Sequence, residues 1–132
     1  MSQYNFFLDN LARSTPGVVH GLLVSDDGLR QAKTAQLQEG LADSLSAMTC
    51  GLISLANGGG RLLGDLAVHQ VAITYEGGHL LLMSTGLNSH LAVLAAADSD
   101  LGAVAFAMAE LVRRLADNAL VPARSTETRG AY

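Results

Sequence analysis

The chain has no tryptophan, one cysteine, two prolines and few aromatic residues of any kind. The lone Cys50 excludes an internal disulfide and reads as a small packing or interface residue. With no second cysteine, a metal site would have to be built from His20, His69, His79 and His90, none at helical i, i+4 spacing. No metal is expected. Scarce aromatics leave no base-stacking platform, and a net charge of −4 with eight scattered basic residues leaves no phosphate-tracking groove. Nucleic acid is therefore not an expected partner. The adjacent pair Arg113 and Arg114 falls late in a helix, where cations suit the negative end of the dipole. No apolar run approaches the ~20 residues that span a bilayer, so membrane insertion is not expected. Residues 1–13 lack a basic leader and carry Asp9, which argues against a secretory signal. A cytoplasmic location is the expectation.

Catalytic patterns are equally scarce. Ser54 and Ser84 lack the G-x-S-x-G elbow that activates a serine. The glycine-rich run Gly58-Gly59-Gly60 follows a helix, whereas a phosphate cradle needs glycines ahead of one, with free N–H groups facing the anion. It reads as a helix stop and flexible loop. Asp26-Asp27-Gly28 reads as a solvated hairpin turn. Arg61, placed on the glycine-rich loop, is the one arginine with a partner-binding role to consider, as a finger toward a phosphate. No enzyme activity and no cofactor are expected.

What the chain does have is apolar surface: 49% hydrophobic against 15% charged residues in 132 positions. One domain of this length buries roughly two thirds of its unfolded surface, and the surplus suits a second subunit. The most informative stretch is residues 36–57. Leu41, Leu45, Met48, Leu52 and Leu55 recur at steps of four and three, which predicts an amphipathic helix burying a leucine stripe. Beside the stripe run Ser44, Ala47, Gly51 and Ser54, small residues that let another backbone come close. Such a helix favours a protein that binds proteins.

Around it the pattern predicts a first helix over 3–14, strands over 18–25 and 29–34, and strands over 66–75, 79–85 and 90–96. A last helix covers 100–118, entered through Asp98-Ser99-Asp100, whose oxygens can cap it. Hairpin links make the five-stranded sheet mainly antiparallel. Helices of this length cover both faces, giving a three-layer α/β (α+β) sandwich. The segment 66–75 holds no proline and no internal lysine or acid to protect an edge, so as an edge strand it would pair with another chain. Residues 1–120 form the domain, and 121–132 are read as a polar, mobile tail.

The segments STPGVVHGLLVSDDGL, LADSLSAMTCGLISLANGGG, LAVHQVAITYEGGHLLLMSTG and HLAVLAAADSDLGAVAFAMAELVRRL, in this order and spacing, resemble a Roadblock/dynein light chain domain of bacterial type over about residues 4–118. The resemblance implies a profilin-like sandwich with strand order 2-1-5-4-3. It implies two-fold dimers joined through the third strands and the second helices. Carried onto this chain, that seam takes in Ser44, Ala47, Gly51 and Ser54 with Val68, Gln70, Val71, Ala72, Ile73 and Thr74. It implies further a non-catalytic adaptor for a small Ras-like GTPase, in bacterial modules that also contain a histidine-kinase-like protein. A small-molecule-sensing or purely scaffolding domain of the same fold is the alternative.

Overall fold

A computed structural model describes residues 3–123. The elements follow in the order α1 (Gln3–Ser14), β1 (Val18–Ser25), β2 (Arg30–Lys33), α2 (Glu39–Leu62), β3 (Val71–Tyr75), β4 (Gly78–Ser84), β5 (Ser89–Ala96) and α3 (Leu101–Ala123). The strands form one sheet in the order β2-β1-β5-β4-β3, every neighbouring pair antiparallel. Helix α2 carries the chain from the β2 edge to the β3 edge.

The period of two along the strands sorts their side chains to two cores. Leu23, Leu81, Leu91 and Val93 face one side, where Leu8 and Leu11 of α1 and Val104, Met108, Leu111 and Leu115 of α3 cover them. Leu22, Val24, Leu80, Leu82 and Ala92 face the other side, under α2. The layers are thus α1 with α3, the sheet, and α2. The turn expected at Asp26-Asp27-Gly28 is present. Gly28 donates to Ser25 O at 3.0 Å and holds φ +83°, a value glycine adopts without strain. Asp100 caps α3, its Oδ1 accepting the Ala103 N–H at 3.1 Å.

Three expectations are corrected. The central helix runs from Glu39 to Leu62, so Gly58, Gly59 and Gly60 lie inside it. They do not end it because the space beside Gly60 is taken by backbone: a Cβ there would lie 2.2 Å from Leu66 O, and Leu66 N donates to Gly60 O at 2.9 Å. The chain leaves the helix at Gly64 and Asp65, both at positive φ. Strand β3 starts at Val71: Leu66 is tied back to the end of α2, and residues 66–70 form an irregular link ahead of the strand. Third, the leucine stripe does not face the core as a whole: Leu45 and Leu52 pack against it and the other three positions do not. The buried residues of α2 are Ala42, Ser46, Thr49, Ile53 and Gly60, whereas Leu41, Met48 and Leu55 are exposed. The sheet already supplies large side chains at Leu22, Leu80 and Leu82, and α2 meets them with the small residues Ala42, Ser46 and Thr49 beside Ile53, with Leu45 and Leu52 packed alongside. Helix α3 continues to Ala123, past the expected end at 118, and the tail from residue 124 lies outside the described residues.

Candidate functional site

The outward face of α2 is apolar and uncovered. Leu41, Met48, Leu55 and Leu62 lie on it, with Leu55 at 75% and Leu62 at 89% of full exposure. Between them Ser44, Ala47, Gly51 and Ser54 are all exposed, as expected for the small strip. A Cβ on Gly51 would meet nothing within 4 Å, so that glycine is not required by the packing inside this chain. Gly51, Ser54, Leu55, Gly58, Gly59 and Leu62 line a shallow depression along this face. Leu63 and Leu66, both exposed, carry the apolar surface on toward β3. Leu45 and Leu52 tuck against the edge of the core beneath α2.

The two edges of the sheet differ. On β2, α1 supplies acceptors for outward N–H groups: Lys33 N donates to Asn5 Oδ1 at 3.0 Å, and Ala35 N to Asp9 Oδ1 at 2.9 Å. Side-chain oxygens thus occupy the donors that a new strand would use. Among the described residues, strand β3 has a neighbour only on its β4 side. Val71 and Ile73 turn inward against the core under α2, while Ala72 and Thr74 are exposed. Val68 and Gln70, expected in the same strand, precede it in the irregular link. The fold therefore brings Ser44, Ala47, Gly51 and Ser54 onto one face and Val71 to Thr74 onto one edge.

Arg61 sits in the last turn of α2, not on a loop, and is exposed. The glycines before it spend their N–H groups within a helix, which leaves no phosphate cradle. The four histidines are dispersed. His20 Nδ1 lies 3.2 Å from Thr34 Oγ1. Its pKa is lowered by desolvation and, to a smaller extent, by Lys33. His79 Nε2 donates to Ala97 O at 3.1 Å, which leaves Nδ1 of the neutral ring to accept from Thr74 Oγ1 at 2.9 Å. His90 is 9% exposed and its Nε2 lies 2.9 Å from Asp26 Oδ1. Its Nδ1 and Thr49 Oγ1 are buried without a hydrogen-bond partner among the described residues. Among the described residues no cluster of His, Cys, Asp and Glu could hold a metal, and no helix is long and apolar enough to cross a membrane. Sequence reasoning missed the Asp26–His90 pair, since the turn and strand that bring them together are far apart in the chain.

Residues 5–95 match the Roadblock/LC7 domain model. Two solved Roadblock/LC7 domains from Streptomyces avermitilis are similar in structure. One is 28% identical with a TM-score of 0.83, over 89% of this chain and 98% of that one. The other is 31% identical with a TM-score of 0.72, over 86% and 99%. Myxococcus xanthus MglB, at 20% identity, shares the fold with a TM-score of 0.80, over 89% of this chain and 94% of its own. No curated protein sequence matches.

Proposed function

The chain belongs to the Roadblock/LC7 domain family, and from that premise we propose that it is a non-catalytic homodimeric adaptor that binds a small Ras-like GTPase and tunes its nucleotide cycle or location. The observation that carries this reading is the continuous uncovered surface formed by the outward face of α2 and the free edge of β3. Two copies related by a two-fold axis would join their β3 edges into one sheet and lay their α2 faces together. Ser44, Ala47, Gly51 and Ser54 would let the helix backbones approach. Leu55 and Leu62 would leave water, each contributing on the order of 1.5–3 kcal/mol if fully covered. The blocked β2 edge supports the choice of β3.

The GTPase rests on the family resemblance, as does a histidine-kinase-like third component. Arg61, exposed at the end of α2, would stand at the rim of the paired surface, where it would meet a partner in the cytoplasm. The domain spans residues 1–120 in this reading. The test combines sedimentation of the purified chain with a pull-down of the co-encoded small GTPase and GTP turnover with and without this protein. A dimer that binds the GTPase and changes its turnover or placement supports the proposal. A monomer at cellular concentration, or a dimer that neither captures nor affects the GTPase, removes it.

A further inference from the structure

The exposed residues of α2 repeat with a period of seven. Leu41, Met48, Leu55 and Leu62 stand seven residues apart in turn, and all four are exposed. Ser44, Gly51 and Gly58 repeat at the same interval, three positions on. The outward face therefore alternates large and small along its length. An isolated helix turns once in about 3.6 residues, so a period of seven marks a face that winds about another helix.

The two glycines have no packing role inside the chain. A Cβ on Gly51 would meet nothing within 4 Å, and one on Gly58 would meet only the flexible tip of Arg61, at 3.7 Å. Glycine is a poor residue for a helix interior, so both weaken α2 without improving the core beneath it. The shallow depression along this face is the shape that the alternation makes.

The alternation selects an orientation. Two copies of α2 lying parallel and level would set Leu55 beside Leu55 and Gly51 beside Gly51. Crowded layers would alternate with empty ones, against the close packing of an interior. In an antiparallel pair each large residue can meet a small one. An axis at the level of Ile53 sets Leu62 against Ser44, Leu55 against Gly51 and Met48 against Gly58 of the second copy. An axis midway between Thr49 and Cys50 sets Leu55 against Ser44, Met48 against Gly51 and Leu41 against Gly58 of the second copy. That second choice leaves Leu62 level with Leu37, ahead of the helix. Leu62 is 89% exposed and Leu41 46%. The axis at Ile53 covers Leu62 and leaves Leu41 at the end, so it takes more apolar surface out of water.

We propose that the occupant of this face is a second copy of the same helix, antiparallel, with the two-fold axis at the level of Ile53 and Leu55 seated on Gly51 of the second copy. The inference rests on the self-association proposed above and adds its orientation and register.

One test exchanges the two sides of a single layer. Gly51→Leu alone should weaken self-association at least about tenfold by sedimentation. Leu55→Ala added to it reopens the layer and should return the dissociation constant to within about threefold of the parent chain. Both positions are exposed, so circular dichroism should report a preserved helix content. With the other axis Met48 faces Gly51, and Leu55→Ala gives no rescue. The other test measures distances between spin labels on single cysteines, Asp43→Cys or Asn57→Cys, in the Cys50→Ser chain. Asp43 and Asn57 are exposed and two repeats apart beside the seam. At 1.5 Å per residue the two Asp43 sites should lie about 30 Å apart along the helix axis, and the two Asn57 sites about 12 Å. The other axis makes these separations nearly equal, and a parallel pair makes them equal. Equal distances or a failed rescue would overturn the register and leave self-association standing. A parent chain that sediments as a monomer would remove both.

Discussion

Asn5 on α1 accepts the backbone N–H of Lys33 on β2 at 3.0 Å, and in doing so closes one edge of the sheet. Asp9, one helical turn on, does the same for Ala35. Helix α1 is therefore an edge guard as well as a core element. Its apolar side, Leu8 and Leu11, fixes the helix against the sheet, and its polar side reaches the strand. Strand β3 has no such guard, and this asymmetry directs pairing to one edge.

Replacing both Asn5 and Asp9 by alanine should lower stability by about 2 kcal/mol, the scale of two lost hydrogen bonds, one of them to a charged group. It should also open the β2 edge to pairing with other chains. Urea denaturation reads the first effect and light scattering over a concentration series reads the second. Unchanged scattering would show that β2 is protected by something other than α1.

Gly51→Leu separates folding from association. The position is open within the chain, and leaving glycine should favour the helix by about 0.5–1 kcal/mol. A leucine on the small strip should nevertheless hold two helices apart. Sedimentation should show at least about tenfold weaker self-association with helix content by circular dichroism preserved. An equally tight dimer would place the seam elsewhere.

Gly60→Ala acts in the opposite sense. Its Cβ would collide with Leu66 O at 2.2 Å, a contact with backbone that cannot rotate away. A loss of roughly 1–3 kcal/mol is expected, the usual cost of overpacking. An unshifted denaturation midpoint would show that residues 64–66 yield freely.

Thr49→Val should stabilise the chain by about 1 kcal/mol. Thr49 Oγ1 is buried beneath α2 without a hydrogen-bond partner among the described residues, and valine has nearly its shape without the hydroxyl that must be desolvated. Thermal melting at matched concentration measures the change. A loss on this substitution would mean that the hydroxyl is paired in solution.

His20 makes stability depend on pH. Desolvation, with a smaller contribution from Lys33, holds its pKa below the ordinary 6.5. The folded chain therefore binds fewer protons than the unfolded chain between its lowered value and 6.5. The contribution of neutral His20 is complete above 6.5 and is lost as pH falls through the folded value. The group is largely solvated, so the effect is small. Urea midpoints compared across this range should fall less steeply with acid in His20→Gln than in the parent chain. Parallel slopes would remove the assignment.

Most of the architecture is legible in the residues because its signals are local. The short apolar runs of Val18–Ser25 and Ser89–Ala96, the Asp-Asp-Gly turn and the Asp100 cap each depend on neighbours along the chain, and each stands where the pattern puts it. The failures share a cause of the opposite kind. Gly58, Gly59 and Gly60 look like a stop until Leu66 folds back onto Gly60. Residues 66–70 look extended in sequence, but the link begins with Leu66 held at Gly60 and joins the sheet only at Val71. The candidate surface was half visible: the small residues of α2 were recognisable, whereas the guarding of the β2 edge by Asn5 and Asp9 requires elements distant in sequence.

By itself the sequence determined the kinds of element, their order and the existence of an apolar stripe on the central helix, because periodicity and turn chemistry act over a few residues. Only the tertiary structure decided which way that stripe points. The sheet beneath α2 is filled by Leu22, Leu80 and Leu82, and α2 sets Ala42, Ser46, Thr49 and Ile53 against them, with Leu45 and Leu52 alongside. Leu41, Met48 and Leu55 are left facing water, where a second chain can cover them.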